Sequence, residues 1–304
     1  MSNGVPSCAV VFKAYAWDGF VERQARRLAQ VAGGLDFYIL IDETGGPVGP
    51  VPFDRVIRFT TAALEAAGLA MRFGLGGVLW WNPDYAHYHF LAQCPKYNHY
   101  LFIEYDCVVQ GSLQDFVTRA ISRGADLIAL PIKRPFDLWH WRPYQADVYT
   151  PDEVKLALLN VCFLSAPALR LLQQRRLDMK GDPSVRGWPS SEVFLPTEVV
   201  RAGMKWLSLA EFGDVSQYDW FPPTLEEDLM PGEQNVFIHP VLDRRRYLTS
   251  IFHNRGSLKP GEMKQILARF PRQEYAKLIW PAARNRAVRR IRHKLLRWRE
   301  QAGW

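Results

Sequence analysis

Cysteine is scarce in this chain: four residues in 304, Cys8, Cys94, Cys107 and Cys162, with no Cys-x-x-Cys pair among them. That scatter excludes a zinc ribbon and a disulfide scaffold, and it fits a reducing compartment. Long apolar runs are missing as well. No stretch approaches the roughly 18 consecutive apolar residues of a membrane span, and the N-terminus carries neither a charged leader nor a long apolar segment, so a cytoplasmic location is expected. There is no internal repeat, and the 21 prolines and 21 glycines are dispersed, which leaves no low-complexity linker. The body of the chain also lacks excess charge. Residues 280–304 hold eight of the 38 Lys and Arg and one of the 31 acids, so the first 279 residues carry 30 of each sign and the net +7 belongs to the tail. A neutral body without a recognisable nucleic-acid motif makes nucleic acid an unlikely partner.

At 304 residues and 48% hydrophobic, the chain is long enough to bury a full core. Apolar runs alternate with helical patterns: strands at Cys8–Tyr15, Asp36–Ile41, Arg55–Phe59, Tyr100–Ile103 and Ala125–Leu130, with helices between them. Asp18 is placed to cap the helix over Val21–Val31, and Gly33-Gly34 to stop it. This rhythm predicts an α/β fold with a mostly parallel central sheet flanked by helices. In the second half the pattern predicts a strand ending near Leu164, helices at Ala166–Arg175 and Ser190–Ala202 with Pro196 in or near the first turn, a late strand at Lys205–Leu209, and short strands at Val236–His239 and Tyr247–His253. Gly74-Leu-Gly-Gly77 does not follow a strand and reads as a turn.

Two segments carry chemistry. In Leu101-Phe-Ile-Glu-Tyr-Asp-Cys-Val-Val-Gln-Gly111 an apolar run ends in Glu104 and Asp106. Burying unpaired carboxylates is costly, and acids at i and i+2 at the mouth of a sheet suit a divalent metal or a metal-diphosphate complex. Far downstream the chain reads His253-Asn-Arg-Gly256-Ser-Leu-Lys259-Pro260. Here an imidazole can bind metal, a glycine lets backbone approach a ligand, and an ammonium can meet phosphates. His239 is a rival ligand.

At Glu104-x-Asp106 with its following apolar pair and Gly111, and at His253-x-x-Gly256-x-x-Lys259-Pro260, the sequence resembles the nucleotide-sugar glycosyltransferases of GT-A fold, most closely glycosyltransferase family 8. The resemblance implies a GT-A-like (Rossmann-like) domain over residues 1–279 and a divalent cofactor, Mn²⁺ or Mg²⁺, bound by Asp106, Glu104 and His253. It also implies a nucleotide-diphosphate sugar, UDP-linked, contacted by Gly256 and Lys259, with Tyr15 and Asp42 at the strand ends where a base and ribose lie in this fold. Several positions depart from the family pattern. Its first acid is Asp where this chain has Glu104, and its Trp after Lys-Pro is here Gly261. Its basic residue in the helix before the acidic motif is replaced by His87-Tyr-His89, its Asn-x-Gly by Asn160-Val-Cys162, and its Asp-Gln-Asp by Ser190-Ser-Glu192. Glu192 is then the candidate catalytic carboxylate beside Asp106, a base in an inverting enzyme or a residue steadying the acceptor or the sugar in a retaining one. An ordinary carboxylate favoured by the helix dipole is the competing reading.

Asp137, Trp139 and Trp141 carry the groups that stack on sugar rings and bind hydroxyls, and are assigned to a glycan or glycolipid acceptor. In the tail, Val288, Ile291, Leu295 and Trp298 recur at helical spacing among arginines, which predicts a basic amphipathic helix over 280–304 lying on an anionic membrane surface. Together these point to a peripheral enzyme on the inner face of the cell membrane, in polysaccharide biosynthesis. Two other classes compete: a sugar-phosphate nucleotidyltransferase, and a non-catalytic glycan-binding or assembly protein with a relic site.

Overall fold

The structure, a computed structural model, describes residues 7–71, 77–133, 148–230, 232, 235–259 and 261–278. In chain order the elements are β1 (Cys8–Ala14), α1 (Gly19–Ala32), β2 (Asp36–Asp42), β3 (Val56–Phe59), α2 (Thr61–Ala66), α3 (Val78–Trp81), α4 (Pro83–Gln93), β4 (His99–Glu104), β5 (Val108–Gln110), α5 (Leu113–Ser122), β6 (Leu127–Pro131), β7 (Ala157–Ser165), α6 (Ala166–Gly181), α7 (Ser191–Arg201), β8 (Trp206–Ser208), β9 (Thr224–Leu225), β10 (Val236–Ile238), β11 (Val241–Leu242), α8 (Arg244–His253) and α9 (Glu262–Ala268). The chain divides into two compact units, one of residues up to 216 with 232–237, the other of 217–231 and the residues from 238.

The first unit is an α/β fold built on a seven-stranded sheet in the order β3-β2-β1-β4-β7-β6-β8. Strands β3, β2, β1 and β4 run parallel, β7 is antiparallel to both its neighbours, and β8 is parallel to β6. The mostly parallel sheet flanked by helices agrees with the expectation from sequence. Every residue of β1 is buried, the mark of a central strand covered on both faces. Period-two alternation sorts those faces. Ala9 and Val11, Tyr100 and Phe102, and Cys162 and Leu164 share one apolar layer with Tyr85, Tyr88 and Phe90 of α4 and with Val193, Phe194 and Leu195 of α7.

Local signals behave as their chemistry requires. Asp18 caps α1 by accepting from the amides of Phe20 and Val21, and Gly33 ends the helix at φ +59°. Pro196 is the exception: it lies in the second turn of α7, inside the helix. Gly111, just after β5, has φ +94°, and a Cβ there would come 2.1 Å from Asn235 Oδ1 and 3.0 Å from Asn235 Cα. That same Oδ1 accepts the Ser112 amide at 3.1 Å. Gly111→Ala is therefore expected to cost at least about 2 kcal/mol, combining left-handed strain with a clash, read as a lowered urea midpoint.

In the second unit β9 and β11 form a short parallel pair, and Phe221, Leu225, Leu242, Tyr247, Leu248, Ile251 and Phe270 make a small core. The predicted strand over Tyr247–His253 is instead part of α8, capped by Asp243. Its buried positions Tyr247, Leu248, Ile251 and Phe252 recur at helical spacing, a period hidden by β-prone residues. Among the described residues no helix is long and apolar enough to cross a membrane. The basic tail, 280–304, lies outside the described residues, as do most of Gly74–Gly77 and the acceptor candidates Asp137, Trp139 and Trp141.

Candidate active site

The acidic motif sits where β4 ends. Glu104 is the last residue of the strand, and Tyr105 and Asp106 form a turn closed by the Cys107 amide, which donates to the Glu104 carbonyl at 3.0 Å. In open parallel sheets ligands bind beyond the carboxyl ends of the strands, and this turn lies there. A carboxylate oxygen of Glu104 and one of Asp106 come within 4.8 Å of each other. Two acids at that separation repel unless a cation lies with them.

Alternation along the strands explains what Glu104 touches. It follows Tyr100 and Phe102 on the α4 face of the sheet, Lys13 follows Ala9 and Val11, and Asn160 precedes Cys162 and Leu164. Lys13 and Glu104 are partners in the β1–β4 register. The three side chains meet at the rim of the apolar layer: Lys13 Nζ is 3.3 Å from Glu104 Oε1, and Asn160 Nδ2 donates to Glu104 Oε2 at 2.7 Å. Lys13 is fully buried, while the Glu104 side chain keeps 19% of its exposure. Sequence reasoning named Glu104 and Asn160 but missed Lys13. A lone charge at the buried parity of an otherwise apolar strand was the available signal.

His87, which stands where the family pattern has a basic residue, is fully buried in α4 and stacks on Phe102 with ring centroids 3.8 Å apart. Burial, reinforced by the charge of Lys13, pushes its pKa well below the ordinary histidine value, so the imidazole is neutral. It offers no positive charge to a phosphate. Cys107, beside Asp106, is held as a thiol well above its usual pKa by burial and then by the two acids, which makes it unsuited to nucleophilic chemistry.

Tyr15, just beyond β1, is 55% exposed, and its hydroxyl lies 3.1 Å from that of Tyr105, the residue between the two acids. The rings meet edge to face at 5.3 Å. An exposed aromatic edge thus borders the carboxylates. Trp17 packs edge-on between Phe12 and Phe53 and serves the local core. Asp42 ends β2 as expected, but it is buried and its Oδ1 accepts from the amide of Thr44 at 2.8 Å and its hydroxyl at 2.6 Å, an Asx turn that shapes the strand end.

Glu192 is the second residue of α7 and half buried. The residues before it are fastened by a buried polar network missed in the sequence. Ser191 Oγ donates to Asp84, Arg176 Nε donates to Asp84 Oδ2 at 2.8 Å, and Arg176 Nη1 donates to the Pro189 carbonyl at 3.0 Å. Both charged side chains are fully buried.

His239, His253, Gly256 and Lys259 belong to the second unit. His239 Nδ1 is 2.8 Å from the Asp219 carbonyl, and His253 Nδ1 is 2.8 Å from that of Thr249. A carbonyl at Nδ1 favours the proton there, which is the tautomer of a metal-ligating imidazole. Gly256 lies in a single 3₁₀ turn after α8, and the exposed Lys259 donates its backbone amide to Glu262 at 2.7 Å.

No protein-family description matches the chain, and neither does any curated protein. Among solved structures, one similar chain is described as a glycosyltransferase involved in the glycosylation of the major capsid of PBCV-1; the match covers 70% of this chain and 88% of that one, with a TM-score of 0.37 and 9% identity. Another is an active-site mutant of LgtC, matched over 72% of this chain and 75% of that one, with a TM-score of 0.40 and 10% identity. Likenesses this distant transfer no activity to the present chain.

Proposed function

We propose that the protein is a metal-dependent glycosyltransferase, patterned most closely on family 8, that moves a sugar from a UDP-linked donor to a glycan or glycolipid acceptor. The observation that carries this reading is the pair of carboxylates, Glu104 and Asp106, within 4.8 Å of each other at the carboxyl end of a parallel strand. The donor set suits a hard divalent ion, with Asp106 as the carboxylate that ligates it and Glu104 lining the site from its place between Lys13 and Asn160. When bound, Mn²⁺ or Mg²⁺ supplies neutralisation of the charge that develops on the departing diphosphate. The histidine of the set is His253, with His239 its rival; His253→Ala and His239→Ala tell them apart by which one lowers metal affinity.

Gly256 admits a close backbone approach and Lys259 meets the donor phosphates. Tyr15 offers its exposed ring to the base, and Asp42 borders the same subsite. Glu192 orients the acceptor hydroxyl or takes its proton. Asp137, Trp139 and Trp141 receive the acceptor, and the basic tail holds the enzyme on an anionic inner membrane face.

Calorimetry with UDP tests the reading. UDP is expected to bind in Mn²⁺ and to lose at least about tenfold in affinity with EDTA, because metal and nucleotide share one site. Absence of binding in both conditions assigns the chain to the non-catalytic glycan-binding class instead. Pyrophosphate release from UTP and a sugar phosphate would make it a nucleotidyltransferase.

A further inference from the structure

Lys13 is the one charged residue of β1, and its ammonium is fully removed from water. A buried ammonium is tolerated only beside an opposite charge, and Glu104, 3.3 Å away, provides it. The second oxygen of Glu104 is held by Asn160 at 2.7 Å. Within the acidic motif Glu104 therefore adds no net charge. The charge on Glu104 is balanced from within the sheet.

We propose that Lys13 determines how the cation reaches this site. By cancelling Glu104 it keeps affinity for a free divalent ion low, so the ion binds as its complex with the donor diphosphate, whose oxygens restore the missing negative charge. The proposal rests on the metal-dependent reading above and assigns to Lys13 a control of metal affinity that the motif alone does not contain. Electrostatic magnitude favours it: at the effective dielectric near a protein surface, one unit charge beside a divalent ion changes affinity by more than about tenfold. Linkage gives the corollary that metal and UDP raise each other's affinity by one common factor.

The test is a titration of the full chain with Mn²⁺, following the free ion by electron paramagnetic resonance, with and without UDP. Wild type is expected to bind Mn²⁺ weakly alone and much more tightly with UDP. Lys13→Met is expected to bind Mn²⁺ alone at least about tenfold more tightly, with a smaller gain from UDP. The double variant Lys13→Met, Glu104→Gln removes both charges and leaves the net charge of the motif as in wild type. It is expected to bind Mn²⁺ with UDP within about threefold of wild type. Replacing both members of a buried ion pair by neutral groups of similar volume is generally tolerated, so the double variant decides the matter even where the single variant fails to fold. A loss of about tenfold or more in the double variant identifies Glu104 as a direct ligand and overturns the proposal. A folded Lys13→Met with unchanged Mn²⁺ affinity also overturns it. Both results are distinct from a wild type that shows no Mn²⁺-dependent UDP binding, which would remove the metal-dependent reading and this proposal with it.

Discussion

Arg176→Met is expected to lower the stability of the first unit by about 3–5 kcal/mol, read from guanidinium unfolding followed by circular dichroism. The size follows from burial. Arg176 and Asp84 are both fully removed from solvent, and the Nε–Oδ2 distance is 2.8 Å. Methionine can fill much of the space of the arginine stem, but it leaves the Asp84 carboxylate without its cation. The Tyr88 hydroxyl, 3.1 Å away, and Ser191 still donate to that carboxylate. Two neutral hydrogen bonds do not replace a guanidinium in a dry environment. The guanidinium also lies 3.7 Å from the centroid of the Phe194 ring and bonds the Pro189 carbonyl, so its loss loosens the start of α7. Burial, and after it the Asp84 charge, holds the Tyr88 phenol well above its ordinary pKa, so Tyr88 remains a donor across the usable pH range. Asp84→Leu combined with Arg176→Met should recover most of the lost stability, because no charge is then stranded. A single variant that loses less than about 1 kcal/mol would show that the pair does not fasten α4, α6 and α7 together.

The sheet was legible because its strands are covered on both faces and read as unbroken apolar runs. Cys8–Ala14 and His99–Glu104 are of this kind, and Asp18 and Gly33 punctuate the helix between the first two strands through capping chemistry that acts locally. Glu104 and Asp106 were legible for the opposite reason: acids interrupting an apolar run demand an explanation. Partnerships across the sheet were not legible. Nothing adjacent in sequence says that Lys13 will meet Glu104, 91 positions on, or that Asp84 and Arg176 will neutralise each other; Asp84 reads locally as an ordinary first-turn acid after Pro83. Strand register and helix packing create those pairs. The segment Tyr247–His253 misled because Tyr, Ile and Phe are strand formers, while the stripe Tyr247, Leu248, Ile251 and Phe252 needed the small second core to bury it. Asp42 shows a third limit: its place at the strand end was legible, but the turn in which its Oδ1 accepts from the Thr44 amide and hydroxyl was not.

Asp106→Ala is expected to reduce Mn²⁺-dependent hydrolysis of the UDP-sugar donor by at least about 100-fold, the range found when one preorganised group facing developing charge is removed. Asp106 lies in the turn after β4 and is half buried, while Glu104 beside it is tied to Lys13 and Asn160. Glu104 already has an ammonium and an amide on its two oxygens, so the metal-dependent reading gives Asp106 the larger share of the cation's binding. The alanine should fold, because the turn is closed by the Cys107 amide and the Glu104 carbonyl, neither of which belongs to the Asp106 side chain. A stability change below about 1 kcal/mol in the absence of ligand would confirm that. Ligand-induced stabilisation then separates binding from chemistry. Wild type with Mn²⁺ and UDP at about 100 times the dissociation constant should gain about 2.7 kcal/mol, and Asp106→Ala should gain almost none at the same concentrations. Unchanged turnover in Asp106→Ala would take the cation away from this turn. A lost ligand stabilisation with an intact fold would instead place the cation at Asp106.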